Sequence, residues 1–403
     1  MLSSVSLMQQ PWRKIDVRGG LCDAAAPAVV VQFITGIHVF CMIVPDNTSR
    51  PFRILSLDGG GIRGLYTARF LADLEAQLQR DGNPATALHQ HFDLICGTST
   101  GGIIALALAL GMPARDLVHL YSHHANDIFG NSRKFFGQLF AAQYSNQRLE
   151  ALLQEKFRAY SPSGDTRLGH ARTRVCIPVF NSMSGRVNVL KTCHHNDFFR
   201  DYQMPAYQVA MSTAAAPTYF NPYSARYPAD LTEEEVLVSN NIDGGIFANN
   251  PSLIGLMEAH GTLAIPWVNI RLLSIGTGTQ RFTERPEQRR WGLLYWAKKK
   301  RLLEMMFHAQ ADHTDSVCQM LSRGVGREAP QAFLYERVQF DFQNAKDYVE
   351  LNTTDPKKLA GLQERASTQF RERGRQIIAD FCTEPITPFT PCRPLRSQAL
   401  ITV

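Results

Sequence analysis

The five residues Gly97-Thr98-Ser99-Thr100-Gly101 stand between a short apolar run, Phe92-Asp93-Leu94-Ile95-Cys96, and a longer one, Gly102-Ile103-Ile104-Ala105-Leu106-Ala107-Leu108. Strand-length apolar sequence passing through glycines into helix-length apolar sequence predicts a strand that turns sharply into a buried helix. Glycines on both sides of Ser99 let the backbone turn tightly without a side-chain clash. Such a turn presents the serine hydroxyl at a helix N-terminus, where free N–H groups and the helix dipole favour negative charge. This is the context of a nucleophile elbow, with Ser99 as candidate nucleophile and Gly97 and Gly101 as the glycines that shape the turn.

A G-x-S-x-G pattern alone is a weak signal, and the glycine run upstream narrows its meaning. Arg53-Ile54-Leu55-Ser56-Leu57 reads as a buried strand running into Asp58-Gly59-Gly60-Gly61-Ile62-Arg63-Gly64, followed by a helical pattern of Leu65, Phe70, Leu71, Leu74 and Leu78. Successive residues without Cβ atoms allow several backbone N–H groups to point at one spot, which then binds a phosphate or the oxyanion of acyl transfer. The run lacks the Gly-Lys-Ser/Thr ending of a P-loop and the spacing of a dinucleotide fingerprint, so the nucleotide reading fits poorly. The oxyanion reading makes Gly59, Gly60 and Gly61 the candidate donors.

An activated serine needs a base. Asp243, in Asn241-Ile242-Asp243-Gly244-Gly245 after the apolar run Val236-Leu237-Val238, is the candidate, although an Asp before two glycines also reads as a simple turn. A Ser-His-Asp triad is the rival, with Asp243 orienting a later histidine such as His260, His308 or His313. None of these histidines sits in a distinctive motif. His119 with His123, and His308 with Asp312, have the spacing of metal-chelating pairs but no third ligand in a recognised spacing, so surface placement is expected and no metal.

Taken together, Asp58-Gly59-Gly60-Gly61-Ile62-Arg63-Gly64, Gly97-Thr98-Ser99-Thr100-Gly101-Gly102 and Asp243-Gly244-Gly245 resemble, in order and approximate spacing, the motifs of the patatin-like phospholipases. Asp127-Ile128-Phe129, Ser212-Thr213-Ala214-Ala215-Ala216-Pro217-Thr218-Tyr219-Phe220 and Leu273-Ser274-Ile275-Gly276-Thr277-Gly278-Thr279 are similar as well, so the likeness spans roughly residues 51 to 345. The resemblance implies a three-layer α/β/α sandwich with a central, mostly parallel sheet. It implies a Ser-Asp dyad of Ser99 and Asp243 without a catalytic histidine, an oxyanion loop of Gly59, Gly60 and Gly61, and support from Arg63, Gly244 and Gly245. It further implies a lipid acyl hydrolase that cleaves glycerophospholipid at a membrane surface, with no metal or organic cofactor. The stretch from Arg53 to Thr67 is also similar to bacterial patatin-like effectors of anti-phage systems, which implies a cyclic dinucleotide activator and antiviral membrane degradation. No linear motif marks a nucleotide pocket. Such a pocket needs cationic side chains for the phosphates and an aromatic or Arg plane for the bases. A constitutive esterase or lipase on other lipids, or a sensing module without turnover, are the other readings; the intact Ser99 and Asp243 argue against the last.

With 403 residues, 44% of them hydrophobic, the chain can bury one large core, and its eight cysteines are scattered without a C-x-x-C pair or a tight framework. Neither a zinc site nor a disulfide scaffold is expected, in keeping with a cytoplasmic enzyme that is peripheral at the inner membrane when active. Residues 1–50 read as a leader whose apolar stretch, Ala24 to Pro45, is interrupted by Gln32, Thr35, Gly36 and His38; Val29-Val30-Val31 suits a strand as well as a signal segment. Residues 51–382 read as the catalytic domain, and the proline-containing residues 383–403 as an irregular tail. Within 285–307, a basic aromatic segment from Arg285 through Trp291, Trp296 and Lys300 leads into Leu302, Leu303, Met305, Met306 and Phe307. The net charge of +6 is compatible with docking of that segment on anionic lipid. A helix with one side on the core and solvated lysines explains the segment equally well. No duplex nucleic acid partner is expected.

Overall fold

The computed structural model describes residues 50–130, 142–229, 234–279, 292, 301–324, 331–344 and 346–395, with the backbone alone for Arg301 and for two further strands near the N-terminus. The chain divides into two units, Met1–Ser49 and Arg50–Val403. In the first, β1 (Val29–Thr35) and β2 (His38–Val44) pair antiparallel in a hairpin. Residues 29–35 and 38–44 of that apolar stretch are therefore strand, as its β-branched residues favour.

The second unit is built on one sheet. Its strands are β3 (Phe52–Leu57), β4 (Leu94–Gly97), β5 (Arg174–Asn181), β6 (Arg186–Lys191), β7 (Tyr223–Pro228), β8 (Glu235–Asp243), β9 (Ile270–Ile275) and β10 (Leu334–Val338). The order is β10-β9-β3-β4-β5-β8-β7, with β6 also paired to β5. From β10 to β5 all neighbours are parallel, whereas β6 and β8 on β5, and β7 on β8, are antiparallel.

Alternation along the strands makes two cores. Leu55, Leu57, Ile95, Leu273 and Ile275 face one buried cluster, while Phe52, Ile54, Leu94, Cys96 and Leu272 face another. The first is covered by α1 (Gly64–Arg80), α2 (Thr100–Leu110), α3 (Ala114–His123), α4 (Asn146–Phe157), α5 (Ala206–Ala214) and, after α6 and α7 in sequence, the long α8 (Pro356–Phe381). Side chains of α6 (Ser252–Met257) and α7 (Arg301–Ser322) reach the second. The result is a sheet sandwiched between helical layers, the α/β/α architecture expected. Every residue of α2 is buried, as befits a helix apolar all round rather than along one stripe.

Residues 383–395 contain neither helix nor strand, yet they are fastened down. The Ile386 N–H donates to Gln90 O and the Cys392 N–H to Cys193 O, both at 2.7 Å. Leu395 is fully buried. Most of the basic aromatic segment lies outside the described residues; of its end, Phe307 is buried and Leu302 and Met306 are exposed. Among the described residues no helix is long and apolar enough to cross a membrane.

Candidate active site

Ser99 lies at the turn from β4 into α2 with φ 54° and ψ −123°. A serine in this region carries on the order of 1–3 kcal/mol of strain and needs surroundings that enforce it. They are here. The Ser99 N–H donates to Thr213 Oγ1 at 3.0 Å, and the Thr98 hydroxyl donates to Ala248 O at 2.6 Å. The flanking glycines serve close approach: a Cβ on Gly97 falls 2.1 Å from Gly101 O, and one on Gly101 falls 2.3 Å from Leu57 O. The unusual dihedral thus belongs to the serine itself, and the glycines let the strand, the turn and the helix touch.

The sheet places the second residue. β4 pairs with one edge of β5 as far as Cys96 opposite Cys176, then leaves the sheet at the elbow. The vacated edge is taken by the end of β8, so that Asp243 stands opposite Val179. An antiparallel strand arriving from far along the chain therefore ends beside the elbow. Asp243 is fully buried. Its Oδ1 accepts the Gly245 N–H at 2.7 Å, whereas the buried Oδ2 has no hydrogen-bond partner. Burial raises its pKa to about 7, against the opposing pull of the nearby Ser99 hydroxyl and the Gly245 N–H. The hydroxyl acts on the carboxylate without making a well-formed bond to Oδ2. A carboxylate so poised is a far better base at neutral pH than an exposed aspartate.

The glycine loop divides its tasks, which corrects the expectation that Gly59, Gly60 and Gly61 act alike. The Gly59 N–H is already donated to Asn249 O at 2.9 Å. Gly59 is needed because a Cβ there meets Asn249 Oδ1 at 2.4 Å. The N–H groups of Gly60 and Gly61 have no acceptor among the described residues, and both glycines line the cavity with Ser99. Gly61 also takes a left-handed φ of 55°. Arg63 points elsewhere: its guanidinium lies over the Tyr348 ring at 5.6 Å. It lines a neighbouring polar recess with Asp58, Glu304 and His308. Gly244 packs on β5, where a Cβ falls 2.2 Å from Pro178 O.

The cavity in front of Ser99 is walled by Ile103, Ile128, Phe129, Leu149, Phe220 and Phe307, an apolar lining suited to an acyl chain. Its volume is about 50 Å³, far below the roughly 300–1,000 Å³ of occupied ligand pockets.

The histidines stand apart. His260 bonds to Ile265 O and stacks on Trp267 at 4.4 Å. His308 lines the polar recess and His313 is exposed. Among the described residues Ser99 and Gly245 are the groups that bond to or act on the Asp243 carboxylate. His119 and His123 are exposed side by side, ring centroids 5.0 Å apart.

Several residues escaped the sequence reading. Thr213 falls inside a recognised stretch, but its bond to Ser99 joins elements no pattern connects. Arg337 on β10 grips Asp58, and Phe307 and Leu351 reach the cavity from the C-terminal half. Cys176, His194 and Glu258 bring potential ligand atoms within 4.8 Å in the second core. There both carboxylate oxygens of Glu258 are engaged, by Lys191 and His194, as a buried ion network.

Residues 55–255 match the family model described as patatin-like phospholipase. A cGAMP-activated phospholipase of Escherichia coli is 32% identical over 84% of this chain and 94% of its own length. Proteins of the same name from Pseudomonas aeruginosa and Vibrio cholerae are 39% and 35% identical, over 57% and 60% of this chain and 63% and 68% of theirs. The chain belongs to the patatin-like phospholipase family.

Proposed function

We propose that this protein is a serine lipid acyl hydrolase acting on membrane glycerophospholipid, with Ser99 as nucleophile and Asp243 as general base. The observation that carries the reading is the buried Asp243, its free Oδ2 beside a strained elbow serine and its pKa near neutrality. Ser99 Oγ attacks the ester carbonyl carbon while its proton passes to Asp243. The Gly60 and Gly61 N–H groups receive the oxyanion. Collapse of the tetrahedral intermediate expels the lysophospholipid alcohol, which takes the proton from Asp243. Water then attacks the acyl-enzyme with Asp243 again as base, releasing the fatty acid and restoring the serine. The residues carry both steps without a metal or organic cofactor.

The names of the relatives support activation by a cyclic dinucleotide, and the narrow cavity fits an enzyme that rests closed. The work would be done peripherally at the inner face of the cytoplasmic membrane, with the exposed Leu302 and Met306, on the helix that brings Phe307 to the cavity, as contacts. Fatty acid release from phospholipid vesicles, by wild type, Ser99→Ala and Asp243→Asn with and without cGAMP, tests this reading. Activity that persists in Ser99→Ala removes the assigned nucleophile, and activity indifferent to cGAMP makes the enzyme constitutive.

A further inference from the structure

An open cleft of about 640 Å³ lies at the N-terminal end of α5, between α4 and β7. Its volume falls within the range of sites for ligands of nucleotide size, roughly 300–1,000 Å³. Its chemistry is that of an anion with aromatic parts. Arg158 is exposed, and among the described residues it has no carboxylate partner, the neighbouring Glu155 and Asp165 being paired with Lys156 and Arg167. Among the described residues the Arg226 side chain is held by Glu235 at 3.2 Å, with both side chains more than half exposed, and such a pair is cheaply exchanged for a phosphate. The acidic groups of the cleft are occupied, Asp165 by Arg167 at 2.7 Å and Glu155 by Lys156 at 3.1 Å. Tyr207 supplies a half-buried aromatic plane.

Gln208 points most clearly to a ligand. It is 2% exposed, and its Nε2 is committed as donor to Arg226 O and Tyr207 Oη, both at 3.1 Å. That fixes the amide orientation and leaves Oε1 buried in the cleft wall with no donor. An unsatisfied buried acceptor is unfavourable, and the exocyclic amine of a purine would satisfy it once binding parts the cleft wall over Oε1.

We propose that this cleft is the activator site and takes a cyclic dinucleotide, its phosphates on Arg158 and Arg226 and a base amine on Gln208. The inference rests on the reading of the enzyme as nucleotide-activated and adds the place and the route. The route is α5. Gln208 stands near its start; near its end Thr213 Oγ1 accepts the Ser99 N–H at 3.0 Å and donates to Pro178 O at 2.8 Å. Just beyond, Ala215 O accepts the Asp243 N–H at 3.1 Å. One helix thus joins the cleft to the backbones of both candidate catalytic residues. Ala214 and Ala216 at its end also wall the narrow cavity, so a shift of α5 changes the space before Ser99.

The test is calorimetric titration of the full chain with cGAMP, alongside fluorophosphonate labelling of Ser99 with and without cGAMP. Arg158→Glu, at an exposed position, and Gln208→Met are expected to weaken cGAMP binding about tenfold or more each, with unliganded melting preserved in Arg158→Glu. Thr213→Val is expected to bind cGAMP as wild type does but to lose the ratio of stimulated to unstimulated labelling, and Thr213→Ser to restore it. Wild-type affinity in both cleft variants overturns the site. An unchanged stimulation ratio in Thr213→Val overturns the route. A wild-type protein that neither binds cGAMP nor responds to it removes the activation reading, and this inference with it.

Discussion

Arg337 holds Asp58 with both terminal guanidinium nitrogens, at 2.9 and 2.5 Å, and so ties the first residue of the glycine loop to β10 at the edge of the sheet. The pair is buried, with side-chain exposures of 10% and 2%. Arg337 also donates to Ser274 at 2.7 Å, which joins β9 to the same clamp. The loop that presents Gly60 and Gly61 to Ser99 is therefore anchored by a residue that follows it in sequence by most of the chain.

Arg337→Ala leaves a buried carboxylate without its counter-ion and is expected to destabilise the fold by about 3–5 kcal/mol. Arg337→Lys keeps the charge but loses the two-pronged grip, so the loss should be smaller, with ester hydrolysis still reduced. Chemical denaturation of the two variants checks the order; equal stability of Arg337→Ala and wild type would mean the clamp is idle.

The pH dependence of hydrolysis follows from Asp243. As the proposed base Asp243 would work only as carboxylate, and its pKa is raised to about 7. Activity on a soluble ester should accordingly rise with pH and level off above about 7. Asp243→Asn should lower kcat by about 10³-fold. A wild-type profile flat from pH 5 to 9 would show that another group is the base.

Stability should move in the opposite sense. Because burial raises the folded-state pKa, the folded protein holds the Asp243 proton more tightly than the unfolded chain, and stability is lost as pH rises from about 4 to about 7. An asparagine does not titrate. Asp243→Asn should thus gain on wild type across that window and exceed it at pH 8 by on the order of 2–4 kcal/mol. Thermal melts at pH 5 and pH 8 measure this, and a difference that does not grow with pH would contradict the raised pKa.

At the elbow, Gly101→Ala places a methyl group 2.3 Å from Leu57 O and 2.6 Å from Asp58 O. Backbone atoms in a strand cannot step aside, so the expected cost is about 3 kcal/mol or more. Gly82→Ala meets nothing within 4 Å, although its φ is 69°, and should cost only about 1 kcal/mol. Comparing their denaturation midpoints separates a steric requirement from a dihedral one.

Local order was legible in the sequence wherever neighbouring residues decide it. The apolar runs around Leu55 and Ile95, the glycines on either side of Ser99 and the buried helix from Thr100 all follow from spacing and side-chain size over a few positions. The three motifs also named the residues that meet in space, Ser99, Asp243 and the glycine loop, through their likeness to a family. What they could not tell was which amides of that loop remain free, because the acceptor that occupies Gly59 is the carbonyl of Asn249, far along the chain.

Tertiary structure alone decided the rest. That Asp243 stands beside the elbow depends on β8 taking the edge of β5 that β4 abandons at Gly97. Its near-neutral pKa depends on how completely the surrounding layers exclude water, a property no single segment possesses. The grip of Arg337 on Asp58, the bond from Thr213 to Ser99 and the orphaned oxygen of Gln208 are of the same kind. Each joins groups with no pattern in common, and sequence periodicity reports which face of an element is buried but not which partner it finds there.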